Sequence, residues 1–268
     1  MLASARFKKS SIAVALFASF SGSALAQAPA PAATPEHTVT ANVGLFSEYI
    51  FRGLSQTAGK PAVQGGFDYA HASGFYLGTW ASNISWLEDF GLYSRSSLEW
   101  DFYGGFKQSF PSNWFAGAED WSYDIGTLFY YYPGSKFSGV TSANTWEVYG
   151  AIGWKWISVK ASYNLKDYFA IPNSDGTWYF DVSATYPIGE TGWALIGHYG
   201  HARVNHNSIA SYDDWKAGVS YTVPEGFLKG IEIGAYYTGN NANEPFYTDL
   251  TSYNTAKDRG VVYVKKTF

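Results

Sequence analysis

The chain has 268 residues, of which 46% are hydrophobic, 19% aromatic and only 15% charged, with 28 Gly and no Cys. Three of its 18 basic residues and none of its 22 acidic ones precede residue 27, so the remainder carries 15 bases against 22 acids. That net charge of −7, with His neutral, argues against a polyanion-binding surface. No apolar run after residue 26 approaches the roughly 18 residues of a spanning helix, which excludes a helical membrane protein.

In chain order, Arg6, Lys8 and Lys9 form a positive opening, Ser11 to Phe20 is apolar, and Ala24-Leu25-Ala26 has a small-x-small pattern. The three regions in that order predict a signal peptide over residues 1–26, cleaved after Ala26. Residues 27–36 (QAPAPAATPE) read as an extended Pro/Ala linker on the periplasmic side. Residues 37–268 alternate with period 2, which predicts strands over 38–48, 62–70, 74–84, 98–106, 121–132, 146–154, 157–166, 178–186, 191–200, 215–221, 231–237 and 258–268. The clearest is 157–166, where Ile157, Val159, Ala161, Tyr163 and Leu165 oppose Ser158, Lys160, Ser162, Asn164 and Lys166.

Short links are predicted at His71–Gly74, Lys155–Trp156, Pro187–Thr191 and Val223–Gly226. Longer polar ones fall at 49–61, 85–95, 133–145, 167–177, 201–211 and 239–257. Short turns on one side and long loops on the other are the habit of a bacterial outer-membrane barrel. The link Lys107 to Asp120 is longer than that scheme wants.

Alternation alone fits a soluble barrel too, because periodicity does not say which face is outside. Three features favour the membrane. Aromatic residues cluster at both strand ends (Trp146 with Trp154, Trp178 with Tyr186, Trp193 with Tyr199), as interfacial girdles do. The polar faces mix charges with Gly, Ser, Ala and Tyr, which suits a narrow wet lumen. The last strand pattern ends on Phe268, with Val262 and Val264 at alternate positions before it, although Lys266 interrupts the series. This ending resembles the signal read by the barrel-assembly machinery.

Several segments carry a wider resemblance. SEYIFRGLSQT (Ser47 to Thr57), GKPAVQGGFDYAHASGFYLGTWASN (Gly59 to Asn83), DIGTLFYYYPG (Asp124 to Gly134) and EVYGAIGWKWISVKASYN (Glu147 to Asn164) resemble the proteobacterial TorF-type porins. The porin label of that family, formerly a conserved family of unknown function, is provisional. The resemblance runs over nearly all of the chain from about residue 38. It implies an outer-membrane barrel and carries over no catalytic residue.

The residues give little support to other chemistry. Five His are present, and no G-x-S-x-G elbow, Walker loop or dinucleotide fingerprint. His198 and His201 point to opposite faces of a strand, so only His206 could fold back to join one of them in a metal site. The loop from Gly239 to Asp249 is rich in oxygen acceptors without EF-hand spacing. No catalytic, cofactor-binding or metal residue is therefore assigned.

The expected fold is an all-β, antiparallel, up-and-down transmembrane β-barrel of about 12 strands in the bacterial outer membrane, following the signal peptide. Its alternation points Glu99, Asp101, Asp124, Glu147, Lys160, Asp181, Lys216 and Glu232 inward as candidate pore-lining groups, with Lys166 beside them. Arg52, Ser55 and Gln56 form a candidate solute-selecting loop, the alternatives being loop solubility or an ion pair with a lumen carboxylate. The expected partners are the lipid bilayer, the barrel-assembly machinery acting on the strand that ends in Phe268, and small solutes or ions, without nucleic acid. The expected function is passive passage of small hydrophilic solutes or ions through a narrow charged lumen. The alternative is a closed structural or adhesive barrel that works through its extracellular loops.

Overall fold

A computed structural model of the chain describes residues 35–268. The expected signal peptide, and the expected linker up to residue 34, lie outside the described residues. Twelve strands close one antiparallel barrel. They are β1 (His37–Phe46), β2 (Ala62–His71), β3 (Phe75–Asn83), β4 (Leu98–Ser109), β5 (Trp121–Tyr131) and β6 (Thr145–Trp154). The remaining six are β7 (Ile157–Asn164), β8 (Trp178–Pro187), β9 (Trp193–Arg203), β10 (Tyr212–Thr222), β11 (Ile231–Asn240) and β12 (Arg259–Thr267). Each strand pairs with its sequence neighbours, and β1 pairs with both β2 and β12, so no edge is left open.

The burial pattern settles which face is outside. In β8, Trp178, Phe180 and Val182 are 39%, 47% and 44% exposed, whereas Tyr179 and Asp181 between them are 2% exposed each. The apolar face is the outer one, the reverse of a soluble barrel, and it can be covered only by lipid. The girdle residues Trp146, Trp154, Trp178, Tyr186, Trp193 and Tyr199 all stand on this outer face.

Inside, tyrosines lie across glycines of adjoining strands. A Cβ on Gly126 would lie 2.6 Å from the Tyr149 hydroxyl, and one on Gly78 would lie 2.5 Å from the Tyr103 ring. Such cross-strand pairs let the sheet coil tightly while a large ring fills the gap. Gly126→Ala should destabilise the barrel by about 1–3 kcal/mol through overpacking. The midpoint of urea unfolding in lipid vesicles measures this.

The elements differ from the sequence reading mainly at their ends. β7 stops at Asn164, so Lys166 is not inward-facing: it lies exposed in the following loop. β9, β10 and β11 each reach further toward the long loops than the alternation suggested. The link after β10 runs from 223 to 230, where Gly230 bonds back to Val223. The long 110–120 link does sit at the short-turn end, folded by a one-turn 3-10 segment at Ala118–Asp120.

At the other end the long loops pack on one another. The helix Trp86–Asp89 buries Leu87 completely, and Tyr93–Arg95 pairs with Ser135–Lys136 from another loop. No helix among the described residues is long and apolar enough to cross a membrane.

Candidate functional site

The first long loop, residues 47–61, turns into the barrel and is fastened to several walls. Its two-residue strands Ile50–Phe51 and Leu54–Ser55 pair as a hairpin whose tip holds Arg52 and Gly53 at φ of 46° and 74°. Gly53 serves two needs at once: a positive φ, and an approach in which a Cβ would sit 2.6 Å from the Asp214 Cβ. Its carbonyl accepts a 2.7 Å hydrogen bond from Asn240 Nδ2 of β11.

Arg52 crosses the lumen. Its Nη2 lies 2.9 Å from Glu147 of β6, and the two side chains are 8% and 1% exposed. The guanidinium sits 4.1 Å over the Tyr179 ring and donates to the Tyr168 hydroxyl at 3.4 Å. Burial disfavours its charge, but the Glu147 carboxylate outweighs that and raises its pKa above the ordinary arginine value. Glu48, at the start of the loop, is paired with Arg259 at 3.4 Å.

Of the sequence-derived candidates, Glu99, Asp101, Asp124, Glu147, Lys160, Asp181 and Glu232 are buried on the inner wall, with Lys216 half-buried beside them. A common rule governs the carboxylates: most accept a tyrosine hydroxyl. Glu99 accepts Tyr49 and Tyr132 at 2.8 and 2.9 Å. Asp124 accepts Tyr76 at 2.7 Å, and Glu232 accepts Tyr263 at 2.7 Å. Two depart from it: Asp181 accepts Ser183 Oγ at 2.9 Å instead, and Asp101 is fully buried with two oxygens that meet no protein donor. A buried carboxylate so placed requires water or a proton.

The lysines lie over rings, with Lys160 Nζ 3.9 Å from the Tyr149 centroid and Lys216 Nζ 5.2 Å from that of Tyr236. Ser55 donates to Glu48, and Gln56 Nε2 donates to the Leu54 carbonyl at 3.0 Å. These two loop residues hold the hairpin's own shape, while Arg52 reaches across.

The sequence reading missed Asp214, Asp68 and Lys265, and although it placed tyrosines on the inward faces it did not anticipate their bonds to the carboxylates. Asp214 stands two positions before Lys216 on the same face, so extending that alternation one step would have found it. His198 bridges Asp181 and Asp214, at 3.0 and 2.9 Å. Ser183 Oγ lies 3.0 Å from His198 Nδ1, which gives a Ser–His–Asp chain. Ser183 also donates to Asp181 at 2.9 Å, and the backbone N–H groups beside it belong to antiparallel strand pairing, so the chain lacks a backbone oxyanion hole. It reads as a charge clamp.

His201 pairs outside the lumen with Asp213, and His206 meets the Asn173 carbonyl, so the three histidines do not converge. In the acceptor-rich loop, Asn240 Oδ1 accepts from the Ala242 N–H, Asn241 Oδ1 from the Asp213 N–H, and Asp249 from Thr251 and Tyr253. Those oxygens serve the loop's own fold.

Two cavities flank the hairpin. One of about 190 Å³ reaches down the lumen past Arg52, Lys160, His198, Lys216, Glu232 and Lys265. The other, about 350 Å³, opens among the long loops and is lined by Trp86, Tyr132, Phe169, Ile171 and Phe246. Phe51 touches both, so the inturned loop is the partition between an aromatic vestibule and a charged channel.

A closed 12-strand barrel with a lipid-facing apolar belt and a charged interior defines a bacterial outer-membrane β-barrel protein. The chain belongs to the bacterial family of unknown function Gcw_chp, which matches residues 30–268. No curated protein matches it in sequence. Among solved structures, the NanC porin is similar at a TM-score of 0.51 and 9% identity, over 86% of this chain and 99% of that one. The KdgM porin is similar at 0.48 and 11% identity, over 85% and 99%. OprD from Pseudomonas aeruginosa follows at 0.40 and 13% identity, over 86% of this chain and 65% of its own. At these identities the likeness concerns the fold.

Proposed function

We propose that this barrel is a passive porin that admits small hydrophilic solutes or ions, and that Arg52 on the inturned loop forms its constriction. The observation that carries the reading is the partition itself: a loop tied to β6 and β11 narrows a lumen whose walls hold buried charges of both signs. Glu99, Asp101, Asp124, Glu147, Lys160, Asp181, Lys216 and Glu232 line the pathway in this reading. The Ser183–His198–Asp181 chain acts as a charge clamp in this reading, and passage requires neither cofactor nor energy input. The resemblance to TorF-type porins supports the same function. Cleavage after Ala26 and assembly through the strand ending in Phe268 complete the proposed route to the membrane.

Inward carboxylates outnumber inward bases, so the channel should prefer cations mildly. Under a salt gradient across a planar bilayer, Asp124→Asn with Glu232→Gln should move the reversal potential toward zero. No shift would remove these two carboxylates from the pathway. The competing reading, a barrel plugged by its tyrosine–carboxylate network, predicts no conductance from folded protein.

A further inference from the structure

At the short-turn end, β1 begins where β2 ends, and His37 pairs with His71 in the register. Odd-numbered residues of both strands face outward, as Val39 and Phe67 do at 70% and 63% exposure. The two imidazoles therefore stand side by side on the outer rim, with centroids 5.1 Å apart. Glu36, immediately before β1, brings Oε1 to 3.6 Å from His71 Nε2. One ligand atom from each of Glu36, His37 and His71 lies within 4.8 Å of the others. Two ligands at about 2.0–2.2 Å from a zinc ion are no more than roughly 4.4 Å apart, so small side-chain rotations close this cluster onto one ion.

The surroundings of the rings point the same way. His37 Nδ1 lies 2.8 Å from the Tyr69 hydroxyl, and His71 Nδ1 lies 2.7 Å from Ser73 Oγ. A hydroxyl that accepts from Nδ1–H leaves the Nε2 lone pair free and fixes the ring's orientation, as the supporting shell of a metal-bound histidine does. Only His37 meets this condition as it stands: at His71 the Ser73 backbone N–H donates to Nδ1 at 3.1 Å, and binding through Nε2 requires that contact to give way to an Nδ1–H that donates to Ser73 Oγ. Neutral imidazoles and a carboxylate suit zinc, copper or nickel rather than calcium or magnesium.

We infer that Glu36, His37 and His71 form a transition-metal site on the rim at the short-turn end, with the remaining coordination position open to water. A metal there joins the segment leading into the barrel to the end of the β1–β2 hairpin, on the side that faces the periplasm in bacterial barrels. The site is independent of whether the lumen conducts.

The test uses untagged protein extracted from outer membranes in detergent. Calorimetry with Zn²⁺ should give one saturable site per chain. His37→Ala and His71→Gln should each weaken it at least tenfold, and Glu36→Gln should weaken it less. The control His201→Ala should leave it unchanged. Cu²⁺ should show electron paramagnetic resonance splitting from two nitrogens in the wild type and from one in each histidine variant. Heat-modifiable migration verifies that each variant is folded. Absence of saturable Zn²⁺ binding by the wild type would overturn the site, as would equal affinity in the folded histidine variants. If a histidine variant fails to fold, the wild-type Cu²⁺ spectrum alone decides: splitting from fewer than two nitrogens also overturns it.

Discussion

Arg52→Glu should raise single-channel conductance several-fold and move selectivity sharply toward cations. The substitution removes the group that crosses the lumen and places a fourth carboxylate beside Glu147, Glu99 and Asp101. Breaking a buried ion pair by removing one partner costs about 3–5 kcal/mol in a dry interior. Here the hairpin has a way out, because it can swing toward the vestibule and let water reach Glu147. Two of its other ties, from Gly53 to Asn240 and from Glu48 to Arg259, lie on the β11–β12 side and act as the hinge, while the bonds from Tyr49 to Glu99 and from Ser85 to the Gln56 carbonyl hold the base of the loop. The change should therefore appear as a wider channel rather than an unfolded barrel. Arg52→Lys, which keeps the charge but loses the planar fork over Tyr179, should give an intermediate conductance. Bilayer recordings of the three proteins check this. Equal conductance in all three would place the constriction elsewhere.

Val182→Arg should destabilise the folded barrel by about 2–4 kcal/mol, because its side chain meets the middle of the hydrocarbon layer. Val182 is 44% exposed and lies midway along β8 between the girdle residues Trp178 and Tyr186, facing Val159 of β7 across the register. In a soluble barrel the same half-exposed valine would accept arginine with a change within roughly 0.5 kcal/mol. Equilibrium unfolding in lipid vesicles separates the two. Val159→Arg should repeat the loss, and a shift below about 0.5 kcal/mol in both variants would contradict a lipid-facing wall.

The two predictions depend on different parts of the molecule, and the sequence revealed them unequally. Alternation made the wall legible: all twelve strands were anticipated, and the alternation along β7 that sets Lys160 on the opposite face from Val159 also decides which side chains point inward. Alternation by itself left outside and inside interchangeable; the aromatic girdles and the Phe268 ending favoured an apolar outer face, and the exposed Trp178, Phe180 and Val182 beside the buried Asp181 agree with that. Boundaries slipped where strands rise past the membrane into the loops, since there both faces carry polar residues and period 2 fades. β10 begins at Tyr212 for this reason, which hid Asp214 and with it the His198 bridge.

The constriction was only half legible. Arg52, Ser55 and Gln56 stood out as polar groups in a loop of an acidic protein, but nothing local says whether such a loop faces water or turns inward. That depends on partners far along the chain, Glu147 and Asn240, and on a glycine at position 53 that lets the hairpin lie against Asp214. The pairing of His37 with His71 is equally non-local, because only the β1–β2 register brings the two rings together.

The most direct test of the central claim is planar-bilayer conductance of the purified, folded protein under a salt gradient. A narrow, steady channel with a reversal potential favouring cations is the predicted result. Silence from protein verified as folded, or a reversal potential favouring anions at low salt, would contradict a carboxylate-lined pore.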